Sequence, residues 1–341
     1  MEKVVIAMSG GVDSSTAAYL LIKNKMAVEG VFFVLFNDPP NIELAKQTAE
    51  FLKIKLHIKD LRELFKEKVI NPFFEGYKKG ITPNPCILCN KYIKFPALKE
   101  VADMIGARWF ATGHYARIKR LGKESFLLKG IDKKKDQSYF LYAIKRSYLN
   151  QLIFPLGEYT KEQVKDLATD VGIPSKAAKE SSEICFLRQK KYYEKIKPSL
   201  QGPIIEISTG KIVGQHKGIY LFTIGQRKRI GVSLGYPAYV VKIDPSINAI
   251  YVGTKQKAFM REFYIDQLNW LVDLREYIIS CNVKIRYAMN PEKATVTIKN
   301  EEAKVVFDEP QFAPTPGQSA VFYKDDIVLG GGIIKETVQE Y

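Results

Sequence analysis

A chain of 341 residues, 46% apolar and 26% charged, exceeds one typical core and has ample apolar surface to bury, so two or three globular domains are expected. Lys and Arg number 52 against 37 Asp and Glu, a formal charge of +15 that suits a polyanionic partner better than a small neutral substrate. No run of about 18 apolar residues exists and the first residues lack the pattern of a signal peptide, so no membrane partner and a cytoplasmic location are expected. Four cysteines, Cys86, Cys89, Cys185 and Cys281, are too few to staple such a chain and in a reducing cytosol suit reactivity or metal binding.

The apolar run at 4–8 leads into SGGVDSS at 9–15, which opens a helical pattern through Thr16, Ala17, Ala18, Leu20 and Leu21. A strand feeding a glycine loop feeding a helix is a phosphate cradle, because glycines admit close approach and the helix amino terminus offers unpaired N–H groups and partial positive charge. Ser9, Ser14 and Ser15 add hydroxyls, and Asp13 can hold a cation or order the loop. The G-x-x-x-x-G-K-[ST] spacing of kinases and GTPases is absent, and the bland alternative is an ordinary turn of small residues.

Strand 28–36, helix 42–52 and strand 55–58 follow, and their alternation predicts a parallel sheet wound by right-handed crossovers. Ligands of such sheets bind at the carboxyl ends of the strands, here the 9–15 loop, the 32–36 strand end and residues 111–114. Asp38, Pro39 and Pro40 end the second strand and leave Phe33 or a neighbour to flank an adenine. A helix over 63–77 closes at Gly80. TPNPCILCN at 82–90 comes next, where Pro83 and Pro85 argue against regular helix while Cys86 and Cys89 converge on one point. Helix 91–105 and strand 109–112 lead to ATGHYAR, whose Gly113 lets backbone approach a ligand and whose His114 is either a base or a hydrogen-bonded structural residue.

Residues 117–135 form a basic, hairpin-like stretch, and Lys135, Asp136 and Gln137 stand before an expected apolar helix. Thr160 with Gln163 spells a capping box for a helix ending near Gly172. The small and charged residues of 175–195 surround Cys185 and are expected to be mobile or to order on binding. Beyond Gln201 short strands and turn signals predict a small domain at 203–264, containing QRKRIG at 226–231, and a closed antiparallel β-barrel at 265–341. In the barrel Lys284 and Arg286 alternate with Val283 and Ile285, as on a strand with one basic face; that stretch and QRKRIG are either nucleic-acid contacts or solvated edges.

In this order SGGVDSS, TPNPCILCN, ATGHYAR, KKDQSYFLY and SSEICFL closely resemble the tRNA-specific 2-thiouridylases of the ATP pyrophosphatase superfamily. The resemblance runs from the first strand to the barrel, with its specific motifs before about residue 230. It implies a PP-loop ATP pyrophosphatase domain over 1–202, of doubly wound parallel α/β type, then the small, mostly β central domain and the barrel. It also implies an enzyme that uses ATP and Mg2+ to adenylate the 2-oxygen of the wobble uridine of tRNA and then replaces that oxygen with sulfur. By resemblance, Ala7, Met8, Ser9, Gly10, Gly11, Val12, Asp13, Ser14, Phe33 and Gly113 bind ATP, and Asn84, Pro85 and Cys86 face the target base. Cys89 is the nucleophile, Cys185 receives persulfide sulfur from a sulfur donor, and Lys135, Asp136 and Gln137, with Arg286 and Tyr287, contact tRNA.

Two departures stand out. The best-known members carry aspartate where this chain has Cys86, and a longer segment than 37–41. The resulting C-x-x-C, with Cys185, resembles the three-cysteine set by which other tRNA thiolases hold a [4Fe-4S] cluster. Cys86, Cys89 and Cys185 are therefore expected as its ligands in preference to a spare thiol at Cys86, and a Cys89–Cys185 disulfide stays open. The chemistry needs the activation in any case, because a uridine carbonyl oxygen is a poor leaving group and sulfur must arrive as thiolate, persulfide or iron-bound sulfide. A small-molecule ligase of the same superfamily would explain the loop but not the cysteines or the charge. A nucleic-acid-binding protein with zinc on three cysteines would leave the loop idle.

Overall fold

The computed structural model describes residues 1–39, 41–177, 184–187, 192–196 and 200–338. Pro40, and Ser181, Ser182 and Glu183 of the SSEICFL motif, lie outside the described residues. So do 178–180 and 188–191 of the segment expected to order on binding.

Strand β1 (Lys3–Ala7) is apolar on both faces, as a central parallel strand must be. Val4 and Ile6 pack with α1 (Val12–Lys23), and Val5 joins the opposite core. On its flanks lie β2 (Ala27–Val34) and then β3 (Leu56–Asp60), joined through α2 (Ile42–Phe51). After α3 (Arg62–Phe65), a π turn and α4 (Asn71–Lys78) comes α5 (Pro85–Cys89), followed by a second π turn (Asn90–Lys94) and α6 (Phe95–Met104). The sheet then gains β4 (Trp109–Ala111) beside β1 and, after the hairpin β5 (Ala116–Leu121) and β6 (Glu124–Lys129), the short β7 (Leu152–Ile153). Its order is β3-β2-β1-β4-β7, all parallel, so Ala7, Val34 and Ala111 end on one rim. The expected capping box is present on α7 (Lys161–Val171), which Gly172 closes in the left-handed conformation.

The central domain is a four-stranded sheet of β8 (Gly202–Glu206), β9 (Ile212–His216), β10 (Tyr239–Asp244) and β11 (Ala249–Gly253), ordered β10-β11-β8-β9. The barrel comprises β12 (Phe259–Trp270), β13 (Ile278–Lys284), β14 (Glu292–Lys299), β15 (Glu302–Phe312), β16 (Ser319–Lys324) and β17 (Ile327–Val338), closed by pairing of β12 with β17. Strand β12 crosses the 264/265 boundary expected above, and its pairing begins with Phe259 opposite Phe312. The barrel sheet is also extended by the amino-terminal domain, because β6 lies against β17 with Leu128 opposite Ile327.

Three expectations need correction. Pro85 does not break regular structure: it starts α5 at a position whose N–H would be unpaired anyway, and the Asn84 side chain caps the helix by accepting the Cys86 and Ile87 amides. No apolar helix follows Gln137, only a 3-10 turn over Ser138–Phe140, because the Asp136 carboxylate folds the chain by accepting from the amides of Gly130 and Ser138 and from the Ser138 hydroxyl. Arg286 does not face solvent on a basic stripe. Its guanidinium donates to the Ile224 carbonyl of the central domain at 2.8 Å and, in the barrel, to the Ala313 carbonyl and the Thr315 hydroxyl.

Arg286→Ala is expected to leave these carbonyls without a charged donor and to weaken the central-domain contact by about 2 kcal/mol. Limited proteolysis should then cut the 224–235 stretch faster than in the wild type; equal cleavage rates would show that the clamp is not needed.

Candidate active site

The loop between β1 and α1 is folded by its own hydroxyls. The Ser14 hydroxyl donates to the Gly11 carbonyl at 3.0 Å and accepts the Ser9 amide at 3.1 Å, while the Ser15 hydroxyl also donates to Gly11. Gly10 has φ +74°, and any side chain there would place its Cβ 2.2 Å from the Asn41 carbonyl oxygen. Asn41 therefore lies directly on the loop. Gly113, expected to admit a ligand, lies tightly against the loop: a Cβ there would come within 2.9 Å of the Ser14 amide nitrogen. Met8 and Val12 are buried beneath the loop, and Ala7 and Phe33 are partly buried against the α6-side core.

Asp13 stands at the mouth of this loop, about one-third exposed, and one carboxylate oxygen carries both of its protein contacts. The Lys161 ammonium donates to Oδ1 at 2.6 Å and the Tyr115 hydroxyl to the same atom at 2.8 Å. Lys161 is 7% exposed. A buried lysine beside a phosphate loop supplies fixed positive charge where a leaving pyrophosphate gains negative charge. Nothing in the local sequence marks Lys161, because its partner Asp13 lies 148 residues away in the chain.

His114 is a structural residue. Its Nδ1 pairs with the Thr112 hydroxyl at 2.8 Å, its ring stacks on Phe95, and burial, with Lys94 as the lesser cause, pushes its pKa down to about 3. The imidazole is therefore neutral throughout the physiological range.

Cys86, Cys89 and Cys185 occupy one neighbourhood, while Cys281 lies in the barrel core. Cys89 is buried in a core with Phe65, Phe73 and Phe186, and Phe186, next to Cys185, sits edge-on to both of those rings at 6.1 and 5.0 Å. That anchoring sets Cys185 near Cys89 although much of the segment around it is polar. Burial pushes the Cys89 thiol up to about 12, with the Lys94 ammonium opposing and Cys185 and Cys86 adding to the rise. Cys86 and Cys185 keep an exposed face, yet loss of water raises both pKa values, again opposed by Lys94. For Lys94 burial acts to lower the pKa, but the three cysteines together outweigh it and the net shift is upward. The π turn explains how Lys94 comes to serve all three: its i→i+5 bonding brings residues 89 and 94 toward one face, which an α-helix would separate.

All four cysteines are free thiols, so the Cys89–Cys185 disulfide left open by the sequence is not formed. Among the described residues no three His, Cys, Asp or Glu side chains are gathered as a metal site, so the expected cluster ligation by Cys86, Cys89 and Cys185 does not fit this arrangement. An ammonium group is the charge these thiols share.

The two expected tRNA-contact sets lie together. Tyr287, 36% exposed, meets the Phe140 ring at 4.6 Å, and the Lys284 ammonium lies 5.4 Å from the Tyr287 ring centre. Burial, and then the Asp136 carboxylate, raise the Tyr287 pKa. Asp136 and Gln137 themselves are engaged internally, the latter accepting the Tyr115 amide through Oε1 at 3.0 Å. Asn90, 2% exposed and next to Cys89, donates to the Phe140 carbonyl at 3.0 Å. Tyr115 thus links this platform to Asp13, and Asn90 links it to Cys89.

A family profile described as tRNA methyl transferase HUP domain matches residues 2–189; profiles described as its PRC-barrel domain and as an aminomethyltransferase β-barrel domain match 190–254 and 260–334. The chain is 40% identical to tRNA-specific 2-thiouridylase MnmA 2 of Clostridium botulinum strain Hall, covering 98% of this chain and 99% of that one. The chain belongs to the tRNA-specific 2-thiouridylase family. Another member, MnmA of Carboxydothermus hydrogenoformans, is 41% identical with 98% of each chain covered. Three domain profiles in succession match the order of parallel sheet, small central sheet and closed barrel found here. As a 2-thiouridylase the chain has use for two parts of its first domain, the phosphate loop with Asp13 and the thiols around Lys94.

Lys161→Met is expected to lower tRNA-dependent pyrophosphate release about 100-fold, or roughly 2.7 kcal/mol, with tRNA affinity unchanged. A coupled pyrophosphate assay checks this. Wild-type release by the variant would leave Lys161 only a packing role.

Proposed function

We propose that this chain adenylates the 2-oxygen of the wobble uridine of tRNA with ATP and then exchanges that oxygen for sulfur carried as a persulfide. The observation that carries the reading is the shared surroundings of Cys89, Cys185 and Lys94, on the same domain as a phosphate loop completed by Lys161 and Asp13. In the first step the uridine oxygen takes the α-phosphoryl group as AMP and pyrophosphate departs. The loop amides after Gly10 and the Lys161 ammonium bear its charge. Asp13 fits a role toward Mg2+, since Lys161 and Tyr115 occupy Oδ1 and leave Oδ2 for a cation. The ion would supply Lewis-acid stabilisation of the phosphates.

In the second step the terminal sulfur of a Cys185 persulfide bonds to C2 of the uridine and AMP leaves with the activated oxygen. The Cys89 sulfur then attacks the Cys185 sulfur, which releases 2-thiouridine and leaves a Cys89–Cys185 disulfide for a dithiol reductant to reopen. Burial keeps Cys89 protonated at rest, which protects it from adventitious oxidation, and Lys94 is the group that lowers the energy of its thiolate. Asn84, Pro85 and Cys86 form the first turn beside these thiols and are assigned to the face of the target base. Lys284 and Tyr287 present charge and a ring for the RNA, while Arg286, Asp136 and Gln137 hold that platform in place. The functional division follows the expected domains: chemistry in 1–202, support of the RNA in the two that follow.

Asp13→Ala is expected to abolish tRNA-dependent pyrophosphate release while leaving tRNA binding intact; turnover at the wild-type rate would remove Asp13 from the reaction. The persulfide reading predicts that Cys86→Ser purified without oxygen keeps most of its thiolation and that neither protein holds stoichiometric iron. Joint loss of iron and thiolation in that variant would instead return the cluster. Binding of tRNA is expected to weaken steeply with salt, each neutralised phosphate adding about 0.7 to 0.9 to the log-log slope. A flat plot would refute the RNA substrate.

A further inference from the structure

A number of basic side chains of this protein are matched by carboxylates, among them Lys3 with Glu29, Lys59 with Glu100, Arg117 with Asp326, Arg146 with Asp273 and Lys304 with Glu262. The turn at 227–229 in the central domain gathers three consecutive basic residues that are not. Arg227, Lys228 and Arg229 are all exposed, and no ion pair is found for any of them among the described residues. Glu206, which meets the cleft residue Tyr236, is spent on Thr209, on the Ser208 amide and on the Tyr236 hydroxyl. Arg227 and Arg229 line a cleft of about 260 Å³ with Ser233 and Tyr236. Arg229 has φ +62° and Gly231 +84°, so the backbone doubles back here, and both arginines line one opening.

The place of this turn in the molecule matters as much as its charge. It follows directly on Thr223 and Ile224, which are held by the Thr82 hydroxyl at 3.1 Å and by Arg286 at 2.8 Å. Thr82 lies two residues before Asn84, the cap of the Cys86–Cys89 turn. The Arg229 guanidinium also reaches the Tyr193 hydroxyl at 3.4 Å, in the short helical turn that follows the Cys185 segment. The cleft is therefore tied at one end to the cysteine helix and at the other to the chain that carries the second cysteine.

We propose that the Arg227–Arg229 cleft is a phosphate-binding site for the sugar-phosphate backbone of the RNA substrate, holding the strand beside the reacting nucleotide. The inference rests on the reading that the substrate is tRNA. Two arginines lining one opening suit a phosphodiester in charge and donor geometry, and with no acidic partner they break no ion pair when they bind it, Arg229 exchanging at most its 3.4 Å contact with Tyr193. The contact is blind to base sequence, so the site adds affinity and register without altering which nucleotide is read.

The test is the double variant Arg227→Gln, Arg229→Gln in the full chain, with fluorescence-anisotropy titration of unmodified tRNA across a range of salt. The wild type is expected to show a steep slope, the variant a slope lower by about 1.5 to 2 and a Kd at physiological salt raised 10-fold or more. ATP affinity and melting temperature should not move. Lys46→Gln, Lys78→Gln, which removes the same charge from two amino-terminal helices, should keep the wild-type slope. A double arginine variant with the wild-type slope would overturn the site, as would an equal loss in the lysine control, which would mean net charge alone. A flat slope in the wild type itself would instead refute the RNA reading on which the site rests.

Discussion

Thr82 holds the three domains to one another. Its amide donates to the Pro316 carbonyl, its carbonyl accepts from Gln318, and its hydroxyl pairs with Thr223, so one residue of the first domain is bonded to the barrel and to the central domain at once. Gly317 packs so tightly here that a Cβ would lie 2.1 Å from Ile81. Because Asn84 caps α5 two residues later, the helix that presents Cys86 and Cys89 starts from this junction and not from a free loop. The positions of thiols, cleft and aromatic platform all refer back to it.

Charge is arranged by the same economy of parts. Lys161 and Lys94 are lysines withdrawn from the general surface, one set against a carboxylate at the phosphate loop and the other against three thiols. Each faces an acidic group: the Asp13 carboxylate for Lys161, and the thiols of Cys89, Cys86 and Cys185 for Lys94. A lysine is suited to both tasks because its ammonium is a compact charge on a flexible stem.

What could be read from the sequence was local. SGGVDSS between apolar strand and helix, and Thr160 with Gln163 before an amphipathic stretch, declare their structures within a dozen residues, and both form. Pro85 is ambiguous in the sequence because a proline at the first helical position and a proline in a loop have the same neighbours, and only the Asn84 cap, which accepts the Cys86 and Ile87 amides, decides between them. Lys94 was invisible because its relation to Cys89 depends on a π turn, for which no residue pattern is known. Arg286 alternates with Val283 and Ile285 whether its own side faces water or another domain. The metal expectation for Cys86, Cys89 and Cys185 correctly sensed their proximity, but spacing does not report the ammonium group among them.

The hairpin Ala116–Leu121 and Glu124–Lys129 belongs by sequence to the first domain and by hydrogen bonding to the barrel, where Leu128 lies opposite Ile327. During synthesis its outer edge must therefore wait for a strand roughly 200 residues downstream, which at ribosomal speeds takes on the order of 10 to 40 s. For that interval the nascent first domain carries an unpaired β-edge next to apolar surface, the kind of feature that recruits other chains. On its other side β6 is already paired with β5, so it is the β6 edge that waits for the last strand to arrive.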